Sequence, residues 1–68
     1  MSDDLDEYKI AAHRIAIKKI GEQLAEQEEA LSKLPIDDTA GRTHIERIIE
    51  ILQKNLDELE ADLRRLLN

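Results

Sequence analysis

The hydrophobic residues of this chain recur at alternating steps of three and four positions, the spacing that places residues on one face of an α-helix. Two long stretches follow this pattern, and no stretch alternates with the period of two that a β-strand requires. Such heptad spacing is typical of helices that pack along a coiled-coil-like seam. The first seam comprises Ile10, His13, Ile17, Ile20, Leu24, Gln27, Leu31 and Leu34, and the second comprises Ile45, Ile49, Leu52, Leu56, Leu59, Leu63 and Leu66.

The single proline predicts where the first helix ends. Pro35 disfavours a helical conformation for the residue before it, so a helix that begins at about residue 4 should stop at about residue 33. The second helix has two candidate start signals, Asp38 as an N-cap or the capping box from Thr43 to Glu46. We favour Asp38, because the alternative leaves a long loop between antiparallel helices. The chain is therefore predicted to be one helical-hairpin domain, with helices at about 4–33 and 39–67 and a loop at about 34–38.

The two seams also predict how the helices pair. In an antiparallel hairpin that sets Leu24 against Leu52, the seven positions of the second seam face the first seven positions of the first seam, including Leu63 against His13. A slip by one heptad would instead place Asp6 against Leu63 and bury a carboxylate without a partner. We therefore expect the register that pairs Leu24 with Leu52.

The composition of the chain excludes several kinds of functional site. The chain has 68 residues, 16 acidic against 10 basic, a net charge of −6, no cysteine and a single aromatic residue, Tyr8. The absence of cysteine excludes disulfides, thiol nucleophiles and cysteine zinc sites, and it suits a reducing compartment. No segment resembles a secretion signal or a membrane span. The sequence therefore predicts a cytoplasmic protein that does not associate with membranes.

Apolar residues outside the seams predict an oligomer. One group lies on the first helix and a second on the second helix, at opposite ends of the predicted hairpin. A copy running in the opposite direction could bring one group onto the other twice, as isologous pairing requires. We therefore expect a homodimer that forms a four-helix bundle, with a tetramer or a surface reserved for another protein as alternatives. The predicted interface comprises Leu5, Tyr8, Ala12, Ile15, Ile48 and Ile51.

Charged residues mostly predict solvated helix faces, because pairs such as Glu29–Lys33, Glu50–Lys54 and Glu60–Arg64 have the favourable i,i+4 order. One segment of the first helix is nevertheless basic within an acidic protein. These residues are candidates for contact with an anion or a nucleic acid, although the net negative charge argues against nucleic acid. The candidate contacts are Lys9, Arg14, Lys18, Lys19 and, near the loop, Arg42.

Two polar residues, His13 and Gln27, interrupt the first seam. A polar seam residue commonly fixes register or oligomeric state at some cost in stability, which is the structural interpretation. The functional alternative is a ligand pocket, formed by His13 with its dimer mate or by Gln27 beside Arg42 and His44. No metal or cofactor is predicted, since the chain lacks HExxH and cysteine pairs and its two histidines fall at opposite ends of the hairpin.

Catalysis is not predicted, and neither are catalytic residues. Ser2 and Ser32 have no predicted histidine neighbour, and the two glycines are too isolated for a phosphate loop; Gly21, within the first helix, instead suggests a close helix contact or a bend. We expect a small intracellular regulator or inhibitor that binds a protein partner, of the kind encoded by phages and mobile elements. The alternatives are a structural coiled-coil assembly subunit or spacer, and an oligomer that sequesters an anionic small molecule.

Overall fold

Two long helices form the whole secondary structure of the part of the chain that is described. The structure is a computed structural model that describes residues 2–68, with side chains from residue 4 onward. Helix α1 spans Ser2–Lys33 and helix α2 spans Thr39–Leu67, and within these residues there is no β-strand. The helices pack against each other in a rod of 57 × 14 × 12 Å between Cα atoms. The predicted all-α helical hairpin is confirmed.

Burial follows the two seams. Every seam position is half-buried or buried, including the polar residues His13 and Gln27. Leu24 is 7% exposed and is the one side chain, among those described, that is buried outright. The pattern of threes and fours therefore identified the faces along which the helices pack. Neither described helix carries a segment long and apolar enough to cross a membrane.

Grooves along the hairpin show which residues of the two helices lie at the same level. His13 shares a groove with Asp62 and Leu66, which lie one and three positions from its predicted partner, Leu63. In the slipped register His13 would face Leu56, more than a helical turn from both observed neighbours. The grooves therefore support the register that pairs Leu24 with Leu52.

Helix α2 begins with a hydrogen-bonded cap. The Asp38 carboxylate accepts a hydrogen bond from the Gly41 backbone N–H at 2.9 Å, and the Asp38 carbonyl accepts one from the Arg42 N–H at 3.1 Å. The choice of Asp38 over Thr43 as the start of the helix is therefore confirmed. A Cβ atom at position 41 would lie 2.6 Å from Asp38 Oδ2, so a larger residue there would have to displace the capping carboxylate.

This geometry makes Asp38 and Gly41 energetically coupled. Alanine at position 41 should displace the carboxylate and weaken the cap, whereas in an Asp38→Ala background no carboxylate remains to be displaced and alanine only improves helix propensity. We expect Gly41→Ala to be about 1 kcal/mol more favourable in the Asp38→Ala background than in the native chain. Urea denaturation of the four members of this cycle measures the difference, and an equal effect in both backgrounds would contradict the coupling.

Gly21 does not mark a close contact between α1 and α2. It is exposed, and no atom lies within 4 Å of the position that its Cβ would occupy. The expectation of a close helix approach at this position is wrong, because Gly21 lies outside the first seam and is exposed.

Ion pairing agrees with the sequence pattern only in part. Lys33 Nζ lies 3.0 Å from Glu29 Oε1, as predicted. The predicted pairs Glu50–Lys54 and Glu60–Arg64 are absent among the ion pairs of the described side chains, and the second observed pair instead joins Arg65 to Asp62. All of these groups are exposed, so the pairs contribute little to stability.

Candidate functional site

Helix α1 carries an exposed apolar surface on the side that faces away from α2. We call it the α1 patch; it comprises Leu5, Tyr8, Ala12 and Ile15. Leu5 is 55%, Tyr8 74% and Ile15 58% exposed, and Ala12 is exposed as well. At 100° per residue, the centre of the patch lies about 140° around the helix from the nearest part of the first seam, between residues 10 and 20. More than half of each large side chain of the patch therefore remains exposed in the hairpin.

The second predicted apolar group is smaller. We call Ile48 and Ile51 the α2 patch. Ile51 is exposed, whereas Ile48 is half-buried beside the second seam. Another isoleucine, Ile36, projects from the loop and is 94% exposed. The α2 patch therefore has one exposed side chain, compared with four on the α1 patch.

Part of the predicted basic cluster lines an apolar groove between the helices. The groove has a volume of about 370 Å³. Its aliphatic side chains come from both helices, and three cationic side chains surround them with a single carboxylate. No described carboxylate forms an ion pair with any of these three cations. We call this site the basic groove; it is lined by Arg14, Ile17, Lys18, Glu60, Leu63, Arg64 and Leu67.

Sequence analysis missed two members of the basic groove. Arg64 was interpreted as a surface charge that pairs with Glu60 and not as part of a binding site, and Leu67 lies outside the second seam. The predicted register contains the missing information, because it places Arg64 level with Ala12 and therefore beside Arg14. An aliphatic floor with several cations at its edge suits a molecule that has an apolar portion and a negative group.

His13 lies in a separate groove, with Lys9, Asp62, Arg65 and Leu66. Its charges are closer to balance than those of the basic groove, since it has two cationic side chains and one carboxylate. The His13 Nδ1 atom lies 2.7 Å from the Lys9 carbonyl oxygen, and because a carbonyl only accepts, Nδ1 carries the proton. Arg65 Nη2 donates to Asp62 Oδ1 at 2.7 Å. Because these groups satisfy one another locally, the geometry favours the structural interpretation of His13.

The pocket predicted from Gln27, Arg42 and His44 is not assembled. The depression that contains His44 is lined instead by Arg47 and by residues of the first turns of α2, without Gln27 or Arg42. Gln27 is half-buried in the first seam at the level of Ile49, more than one turn from His44. The separation along the rod therefore argues against this candidate site.

The remaining predicted contact, Lys19, is exposed and belongs to neither groove. Among the side chains that the structure describes, no group of three or more histidine, aspartate or glutamate residues is arranged to hold a metal ion. No protein-family model matches this chain, and no curated protein or solved structure matches it either.

Proposed function

We propose that this protein is a non-enzymatic interaction protein that forms a homodimer of four helices and regulates or inhibits a protein partner. The observation that carries this proposal is the amount and character of the surface that a single chain leaves exposed. Among the described residues, four of the six large hydrophobic side chains that are exposed lie in two patches at opposite ends of the rod, one on each helix. These patches supply one surface for a second copy and one for a different protein.

The exposed area is large for a chain of this mass. A folded monomer of 7.8 kDa typically exposes about 4,400 Å². This chain exposes 5448 Å², which is about 1,000 Å² more. Specific protein interfaces bury about 800 Å² on each partner. An elongated shape raises the exposed area by itself, but the apolar side chains in the patches make burial of this surface favourable. One standard interface is enough to bring the exposed area into the usual range.

A second candidate function is favoured by the basic groove. Arg14, Lys18 and Arg64 surround an aliphatic floor, which would suit an amphipathic anion such as a small aliphatic carboxylate. Glu60 at the same site opposes such a ligand, and the groove is open along its side. This function therefore ranks below protein binding.

Native mass spectrometry of the purified protein separates these functions. We expect a dimer without added mass, because the apolar patches are proposed to be covered by protein surface and not by a small ligand. A retained adduct of a few hundred daltons per site would favour the anion binder and contradict our leading proposal. A monomer at every concentration would remove the homodimer.

The partner is tested by photo-crosslinking in the cells that produce the protein. A benzophenone amino acid at Ile51 should yield one distinct adduct with another protein, since Ile51 is exposed at the α2 patch. The matched control places the same group at Gln53, which is also exposed but lies on a different face of α2. Adducts that are equal for both positions, or that contain only this chain, would contradict partner binding through the α2 patch.

A further inference from the structure

We propose that the α1 patch binds the α1 patch of a second copy, with the two α1 helices antiparallel. This inference rests on the proposed homodimer and names the surface and the register through which it forms. It also changes the expected arrangement, because pairing of the α1 patch with the α2 patch of the other copy is the simplest interpretation of the sequence.

The spacing of the α1 patch is self-complementary. Leu5 and Ile15 lie five positions on either side of Ile10, and Tyr8 and Ala12 lie two positions on either side. When two such helices run in opposite directions about this midpoint, Leu5 meets Ile15 of the partner subunit and Tyr8 meets Ala12 of the partner subunit. A large ring then packs over a small side chain, and each layer occurs twice, as an isologous interface requires.

Charge on one flank of the patch supports the same register. Asp4 and Lys18 lie on the same side of the patch, near its two ends, and neither forms an ion pair within the described hairpin. In the antiparallel pair Asp4 lies beside Lys18 of the partner subunit, and the symmetry repeats this contact. Between the two contacts, Ala11 lies next to Ala11 of the partner subunit, where a small side chain permits close helix approach.

The α2 patch is a poorer match for the α1 patch. It has two residues rather than four, and Ile48 is already half-covered by its own hairpin. Pairing α1 with α1 covers all four residues of the α1 patch in each copy and leaves Ile51 available for another protein. Since the α1 patch lies roughly opposite the first seam, the two α1 helices occupy the centre of the dimer and the α2 helices lie outside.

The two arrangements differ in the distance between equivalent residues, which double electron–electron resonance measures. The chain has no cysteine, so Glu26→Cys provides one nitroxide site per copy on an exposed position outside the patch. Pairing about Ile10 places the two labels about 48 Å apart along the helix axis, at 1.5 Å per residue. Pairing of the α1 patch with the α2 patch places them about 24 Å apart. The longer distance supports the proposal, and the shorter one overturns it while leaving a homodimer.

A matched pair of substitutions tests the patch itself. Ile15→Glu should weaken dimerisation by about 100-fold or more, since the symmetric interface buries the carboxylate twice. Ile36→Glu makes the same change at an exposed loop position and should leave the dimer intact. Light scattering across a dilution series measures both, and circular dichroism establishes that the variants remain helical. Equal dissociation constants for both variants would overturn the α1 interface. If the protein forms the dimer but a benzophenone at Ile51 gives no adduct with another protein, only the proposed partner function is contradicted.

Discussion

Leu24→Ala is expected to lower the free energy of unfolding by about 2–5 kcal/mol, the largest effect of any single truncation in this chain. Leu24 is 7% exposed and is the most buried of the described side chains, so its removal leaves a cavity that neither helix can easily fill. Small domains are marginally stable, and a loss of this size is a large fraction of their total stability. The variant should be largely unfolded near the temperature at which the native chain begins to melt.

The control for this experiment is Ile36→Ala. Ile36 is 94% exposed in the loop, so truncation should change stability by less than about 0.5 kcal/mol. Urea denaturation should compare both variants at one protein concentration, because the stability of an oligomer depends on concentration. Similar losses for both variants would show that Leu24 is not the centre of the core.

The features predicted successfully from the sequence are those governed by short-range rules. Helical periodicity places Leu24 and Leu52 on buried faces, and pairing the two seams level with each other yields a register that the grooves support. The helix start at Asp38 follows from the hydrogen bonds that an aspartate side chain can offer to free backbone N–H groups. Proline restricts its preceding residue in the same local manner, and α1 ends at Lys33.

The candidate site was harder to predict because it depends on which surface residues lie at the same level. Arg14 and Lys18 were identified from their shared charge, but Arg64 joins them only through the antiparallel pairing of distant segments. Long exposed side chains can also form ion pairs of similar energy with several different partners. Arg65, for example, pairs with Asp62 on its own helix. What covers the two patches is also hard to predict from this sequence, since the covering surface belongs to another molecule.

Replacing the two polar residues of the first seam is predicted to have the second large effect, a gain in stability. We expect the double variant His13→Leu, Gln27→Leu to be more stable than the native chain by about 1–3 kcal/mol, because leucine adds apolar burial at two half-buried positions. His13 would lose only a hydrogen bond to the Lys9 carbonyl, and Gln27 makes no side-chain hydrogen bond with the described residues. Urea denaturation measures the gain in stability.

Two matched controls and one functional measurement complete the test of these polar residues. His44→Leu and Gln23→Leu make the same changes at exposed positions of the same hairpin and should add little stability. If His13 and Gln27 have the structural role of restricting the register, the crosslink from Ile51 to a partner should persist in the more stable double variant. Loss of stability, or loss of the partner crosslink with the dimer intact, would show instead that these polar groups bind something that leucine cannot.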